Sequence, residues 1–437
     1  MQINTNKSMR TLSLLLTLLG LCGGSILLAQ EEGPIKVEMV QEDGQWTLLR
    51  GGEPYFVKGV GGTDFLDQAA AYGANSIRTW SPDNAKFYLD EAHKRGMTVL
   101  MGLWVGQERQ GFDYDDPKAV KAQLEGFRAV VKDLKDHPAL LMWGVGNECD
   151  LFYANFKVWN AIEDIAAMIH EEDPNHPTMT VTAGLDVAEV QLVKERAPSI
   201  DIYGINTYAG LLGVGKELKQ YGWDRPYMIT EWGPNGHWEV PKTAWNVPLE
   251  QTSSEKAVSY QERYEKGIAN DPEQCVGSYV FLWGHKQETT GTWYGVFLED
   301  GSETEVMDVL EYVWTGSWPQ NRAPHISSYK INGQVPAKSV YTKPGAVCTI
   351  DVDAYDPDND PLAYRLELLP ESTDIRSGGD AEAKPEPMEF KLIRSENGKI
   401  EFRAPVKKGP YRMFLYLSDG NNNSATANIP FFVSDDT

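Results

Sequence analysis

The stretch HPALLMWGVGNECD, His137 to Asp150, decides the fold. Its run Ala139-Leu140-Leu141-Met142-Trp143 is short, unbroken and apolar, bounded by Pro138 and by Gly144 and Gly146, which suits a strand buried on both faces. The run leads to Asn147-Glu148. A carboxylate at such a tip is not core material, because burying an unpaired charge is costly. A second run, PYMITEW from Pro226 to Trp232, repeats the plan and delivers Glu231. Two strands that each bring a Glu to their C-terminal end suit chemistry in which one carboxyl gives up a proton while the other stays ionised.

Outward from these runs, strand and helix patterns alternate. Strands are expected to begin near Phe56, Ser76, Thr98, Leu140, Thr178, Asp201, Tyr227 and Val276. Between them lie amphipathic segments at 65–73, 83–95, 116–134, 156–169, 186–196 and 254–268, with a last one at 303–313. Asp116-Pro117 opens its helix with a cap residue and a proline in the first turn. Eight strands alternating with helices over about 250 residues predict a (β/α)8 TIM barrel. A doubly wound open sheet is the alternative, set aside because the candidate functional residues sit at the tips of many different strands, as barrel sites do. Residues 35–60 read as short strands broken at Glu42-Asp43-Gly44 and Gly51-Gly52, a hairpin ahead of the barrel.

The composition changes at Trp318-Pro319-Gln320-Asn321-Arg322-Ala323-Pro324. Seven short strands follow, at 339–341, 347–354, 363–369, 389–394, 399–403, 411–418 and 425–433, the pattern of an immunoglobulin-like β-sandwich. The expected organisation is a leader at 1–29, a barrel with its hairpin at 35–316, a linker at 317–324 and the sandwich at 325–437. Asp356-Pro357-Asp358-Asn359-Asp360 reads first as an Asx-rich turn, with a calcium loop as the alternative.

The leader has Lys7 and Arg10, an apolar run from Leu12 to Leu21, and Ala29 before Gln30-Glu31-Glu32, which predicts export with cleavage near Ala29. Leu21 before Cys22 disfavours a lipid anchor there. No later stretch reaches the length of a membrane span. The formal charge of the 437-residue chain is −23, and loss of Lys7 and Arg10 makes it more acidic still. Such a surface argues against nucleic acid and anionic polymers as partners and is compatible with a neutral saccharide, the chain itself being expected as a monomer. Cys149, Cys275 and Cys348 form neither a disulfide framework nor a metal spacing. No cofactor and no catalytic metal are expected.

In a parallel barrel the C-terminal strand ends share one rim, so Glu148 after the fourth strand and Glu231 on the seventh should meet across it. Asn147 is placed to hold a substrate hydroxyl. Trp80, Trp104, Trp232, Trp238, Trp245 and Trp293 fall at or after strand ends, and sugar rings suit aromatic platforms with a polar edge; Trp104 and Trp232 lead this group. Glu108, Glu239 and Glu288 read as solvated loop charges.

Asn147-Glu148 after a fourth strand and Glu231 on a seventh resemble the clan of retaining (β/α)8 glycoside hydrolases over residues 54–315. That resemblance implies Glu148 as acid/base and Glu231 as nucleophile in a double displacement, with carboxyls about 5–5.5 Å apart. It also implies that Arg78 hydrogen-bonds the nucleophile, that Tyr208 of Asn206-Thr207-Tyr208 contacts it, and that Trp283 stacks under the sugar. The opening Gly52-Glu53-Pro54-Tyr55-Phe56-Val57-Lys58-Gly59-Val60 is similar to the start of the family 2 catalytic domain, although this chain leaves no room before its barrel for that family's large N-terminal β-domains. A barrel followed by one immunoglobulin-like domain is more similar to glycoside hydrolase family 158, which implies an endo-β-1,3-glucanase. Two other readings remain open. One is a transglycosylase of the same clan, in which sugar replaces water. The other is a non-catalytic carbohydrate-binding protein, against which the intact Glu pair stands.

Overall fold

The computed structural model describes residues 33–396 and 398–435; the expected leader and Cys22 lie outside them. Eight parallel strands close into a barrel in chain order: Val57–Gly61, Ser76–Arg78, Thr98–Leu103, Leu140–Val145, Thr178–Ala183, Ile202–Asn206, Tyr227–Trp232 and Cys275–Val280. Each begins within one residue of the place its apolar run predicts. The eighth strand pairs with the first from Gly277↔Val57 to Val280↔Val60, closing the ring. Among the described residues no helix is long and apolar enough to cross a membrane.

The fourth strand has the two-faced burial its composition predicts. Leu140, Trp143 and Val145 pack under the helix layer, while Leu141 and Met142 fill the barrel interior with Leu100, Met179, Val181, Ile202 and Met228. The Trp143 indole donates to buried Asp173 at 2.8 Å, satisfying its one polar atom. In the Pro117–Leu134 helix, Asp116 accepts from Lys118 N at 2.9 Å, a cap worth about 1 kcal/mol. One helix escaped the sequence pattern, Val214–Gln220. It is two turns long and follows the glycine-punctuated segment Ala209–Gly213, too short for a periodic signal.

The hairpin of Val37–Glu42 with Gln45–Arg50 lies at the N-terminal end of the barrel. Val37 and Leu48 join the interior cluster beneath Val57 and Val276, and Val37 N and Trp46 N donate to Asn175 O and Glu273 O. That end is plugged, which leaves the opposite rim for chemistry.

Beyond the Glu305–Thr315 helix, two four-stranded sheets face one another. One runs His325–Ile331, Val347–Tyr355, Lys399–Arg403, Leu392–Glu396; the other runs Val340–Thr342, Ser424–Val433, Gly409–Ser418, Ala363–Pro370. His325–Ile331 adds a strand to the seven expected. A register shift between Ile326 and Ser328 interrupts its alternation, which hides it from a period-two reading. The sandwich is bonded to the barrel: Ile326 N and Thr426 N donate to the Ser254 and Ser253 hydroxyls, each at 2.9 Å. Asn428 reaches Glu250 at 2.6 Å, and Trp245 packs on Tyr341 and Phe432.

Asp356 accepts from Asp358 N at 2.8 Å and Asp360 N at 3.0 Å, an Asx turn, and Asp358 in turn accepts from Arg322 N of the linker. Among the described residues no group of three or more His, Cys, Asp or Glu is placed to hold a metal. Cys149, Cys275 and Cys348 are free and buried.

Candidate active site

Past Val145 the chain turns at Gly146, whose φ of +81° favours glycine and whose added Cβ would lie 2.8 Å from the Cys149 sulfur. Glu148 follows with φ +50°, an uncommon left-handed backbone for a non-glycine residue and a form of strain that gathers at functional sites. The turn is held from three sides. Glu148 N donates to Val181 O at 2.9 Å, Asp150 accepts from Ala183 N at 3.0 Å, and the Gln107 amide donates to Asn147 O at 2.6 Å.

Glu231 lies within the seventh strand and is buried. One of its oxygens accepts from Arg78 Nη1 at 3.1 Å and from Trp80 Nε1 at 2.8 Å; the other accepts from the Tyr208 hydroxyl at 3.2 Å. Tyr208 can serve as a donor throughout the ordinary pH range, since burial and then the Glu231 charge push its phenol well above 10. The Trp80 backbone crosses close over Gly102, where any side chain would collide with it.

Glu148 has the opposite environment. Its carboxyl is pushed up to about 8, first by burial and then by the Glu231 charge, against the pull of the Asn206 amide that donates to it at 2.8 Å. One carboxyl is therefore an acid with a proton to give at neutral pH, and the other is cradled by donors. Asn206, the last residue of the sixth strand, joins the two sides. Its amide also reaches Asn147 Oδ1 at 3.1 Å, and its oxygen accepts from Thr230 at 2.8 Å. Arg78 Nη2 donates to Asn147 Oδ1 at 2.6 Å. With its oxygen engaged by Arg78 and Asn206, Asn147 offers its NH2 end as the group free for a ligand hydroxyl.

These residues open into a cavity of about 560 Å³ on the C-terminal rim, lined also by Trp104, Phe152, Trp238, Phe281 and Lys286. Of the residues expected from sequence, Glu148, Glu231, Arg78, Asn147, Tyr208, Trp80, Trp104 and Trp238 are gathered here. Four are not. Trp232 is fully buried against Tyr260 and Tyr264; successive strand residues face opposite ways, so with Glu231 aimed into the barrel its neighbour points to the helices. Trp283 is also fully buried, its indole donating to Phe65 O at 3.3 Å beside Phe297 and Trp314. Phe281, two residues earlier and just past the eighth strand, is the aromatic that faces the cleft. Trp293 is buried, and Trp245 belongs to the sandwich contact.

Of the spare carboxylates, Glu288 differs most from a solvated loop charge. Glu288 is buried and paired with Lys286 at 2.7 Å; burial raises its carboxyl above the usual range. Glu108 caps Ala154 N and Asn155 N. Glu239, exposed, caps Ala209 N and Gly236 N. Asn206, Phe281 and Lys286 complete the site beyond the residues singled out from sequence. For Asn206 the signal existed: it is a polar residue at the tip of a buried strand, as Glu148 and Glu231 are.

Residues 72–246 match the family model for the glycosyl hydrolase family 2 TIM barrel domain. Solved structures of similar fold include a β-glucuronidase of Bifidobacterium dentium complexed with coumarin-3-O-glucuronide, at 20% identity and TM-score 0.52, covering 64% of this chain and 49% of that one. A β-glucuronidase of Bacteroides uniformis is similar at 15% identity and TM-score 0.51, covering 91% of this chain and 48% of its own. A β-glucuronidase of Ruminococcus gnavus is similar at 16% identity and TM-score 0.51, with 65% and 53% covered. The chain thus spans about half the length of these structures, and at such identities the likeness is one of fold. No curated protein matches the chain. The matched model is that of family 2, and it lends the family 158 layout no support of its own. Within this chain it is residues 72–246 that resemble the family 2 TIM barrel domain.

Proposed function

We propose that the protein is a retaining β-glycosidase acting on neutral sugars, with Glu231 as nucleophile and Glu148 as acid/base. The observation that carries this reading is the contrast between the two carboxyls: Arg78, Trp80 and Tyr208 all donate to Glu231, while Glu148 beside it is raised to about 8. Glu231 attacks the anomeric carbon as Glu148 passes its proton to the departing oxygen. The leaving group departs, and Glu148, now a carboxylate, takes a proton from water. The water oxygen attacks the same carbon from the other side, which releases Glu231 and gives a sugar of unchanged anomeric configuration. Asn147, its oxygen fixed by Asn206 and Arg78, holds the hydroxyl beside the reacting carbon, and Phe281 and Trp238 present aromatic faces to the ring.

The charge around the cavity supports a neutral substrate. Glu148, Glu231, Glu239 and Glu288 line it, and the one lining lysine, Lys286, is engaged by Glu288 and by Gly379 O, each at 2.7 Å. A uronate carboxylate would meet this acidic wall without a free cation, which distinguishes the reading from the glucuronide in the Bifidobacterium dentium structure. Among polymers, β-1,3-glucan is the first candidate, on the layout of barrel plus sandwich. Export through a leader at 1–29 belongs to the same proposal and would place the enzyme where polysaccharide is met.

The test is incubation with aryl β-glucoside, β-galactoside, β-mannoside, β-xyloside and β-glucuronide, and with β-glucans, mannans and xylans, beside Glu231→Ala. Hydrolysis of a neutral glycoside that the variant loses supports the reading. Hydrolysis confined to the glucuronide would overturn its substrate class, and activity retained by the variant would overturn its nucleophile.

A further inference from the structure

The sandwich reaches into the cleft. Between its strands Ala363–Pro370 and Leu392–Glu396 lies a long connection without regular structure, and Ser377, Gly378 and Gly379 of that connection line the same cavity as Glu148 and Glu231. The connection is anchored to two separate barrel loops. Asp380 pairs with Arg109 of the third-strand loop at 3.0 Å. On the eighth-strand loop, Lys286 donates to Gly379 O at 2.7 Å and Thr289 N donates to Glu382 at 2.6 Å. Glu382 also accepts from Arg376 N at 2.8 Å, which closes the segment on itself.

The position of the segment relative to the two carboxyls gives it a role. A Cβ on Gly378 would lie 2.7 Å from Arg109 Nη2 and 2.9 Å from Leu151 Cδ2, so its backbone rests directly on these side chains. Leu151 N donates to Glu148 O at 3.1 Å, which makes Leu151 part of the turn that carries Glu148. Gly378 and Gly379 both have positive φ, +65° and +69°, as a glycine pair laid flat against neighbours requires. The wall therefore stands on the Glu148 side of the cleft, beside exposed Phe152 and partly exposed Trp104. The group that Glu148 protonates leaves on that side.

Resting on the glycosidase reading, we propose that Ser377-Gly378-Gly379 of the sandwich forms the wall of the leaving-group subsite and selects a sugar there, so that the C-terminal domain sets substrate specificity. The wall offers backbone N–H groups and a serine hydroxyl, beside Trp104 and Phe152 in the same cavity. That pairing fits a hydroxylated ring better than a small apolar leaving group. Arg109, Asp380 and Glu382 are positioning residues that hold the wall.

The experiment compares the intact chain with the double variant Asp380→Ala, Glu382→Ala on two substrates of one sugar. The first is a dinitrophenyl β-glycoside, whose leaving group needs neither an acid nor a sugar subsite; the second is the corresponding tetrasaccharide. The expected result is a loss in kcat/KM of about tenfold or more on the tetrasaccharide, carried mainly by KM, with the aryl glycoside within about threefold. Equal losses on both, or no loss on either, would overturn the proposal. If the double variant fails to fold, Glu382→Ala alone is read in the same way. Should the native protein cleave neither substrate, the glycosidase reading fails by itself. The wall is then judged by hydrogen exchange of residues 374–384 with and without laminaritetraose or cellotetraose, where protection supports it and unchanged exchange overturns it.

Discussion

Glu231→Gln replaces an anionic carboxylate by an amide of the same shape and removes one of the charges that raise Glu148. Glu148 stands at about 8, with burial the larger cause and the Glu231 charge the second. At the ~5.5 Å separation that double displacement requires, two unit charges at an effective dielectric of ~20 interact by roughly 3 kcal/mol, or about 2 pKa units. Without that charge Glu148 should fall from about 8 to ~6 and stop above its ordinary 4.5, because burial is unchanged. At pH 7 the acid would go from roughly 90% protonated to roughly 10%. Carbon NMR of side-chain carboxyls in glutamate-labelled protein follows this directly, titrated from pH 4 to 10, with Glu148→Gln assigning the resonance. A Glu148 midpoint that stays near 8 in the variant would refute the reasoning. It would mean that burial alone sets the value and that the two carboxyls do not interact across the rim.

Three further outcomes follow from the same contacts. Tyr208→Phe and Trp80→Phe each delete one donor to the Glu231 anion, and at about 1.5–3 kcal/mol per charged hydrogen bond each should lower kcat/KM by roughly 10- to 100-fold with the fold intact. Trp283→Ala should cost about 3–5 kcal/mol of stability in urea unfolding, since the side chain is fully buried; a loss of sugar affinity at unchanged stability would instead put it in the cleft. Asp308 is buried and raised to about 7 from 3.8, chiefly by burial. A folded pKa above the unfolded one means the native state holds its proton more tightly, so this contribution is lost as pH rises from about 4 through 7. Asp308→Asn, which can still accept from Ala323 N, should therefore gain on the native protein across that window by up to ~4 kcal/mol. A stability difference that does not change with pH would count against it.

The barrel was legible because its strands are unbroken apolar runs and its helices carry caps and regular spacing. The two glutamates were legible because charge does not belong at the end of such runs. What escaped has physical causes. Trp232 could have been assigned outward from strand alternation once Glu231 was taken as inward. Trp283 could not, since it lies beyond the Cys275–Val280 strand, where the alternation no longer holds. Glu288 looks solvated in a polar loop until the fold brings Lys286 back onto it. The first sandwich strand hides behind a register shift. Ser377-Gly378-Gly379 sits in a segment with no period at all, and its partners Arg109 and Lys286 lie far away in the chain. Only the closed structure puts them together.

The central claim is that Glu231 forms a bond to the sugar. The most direct measurement is intact and peptide mass spectrometry after incubation with a 2-deoxy-2-fluoro dinitrophenyl β-glycoside of whichever sugar is cleaved. The expected result is one added fluorosugar per chain, carried by the peptide containing Tyr227–Trp232 and absent in Glu231→Ala. An adduct on another carboxylate, or turnover with inversion at the anomeric carbon and no adduct, would contradict it.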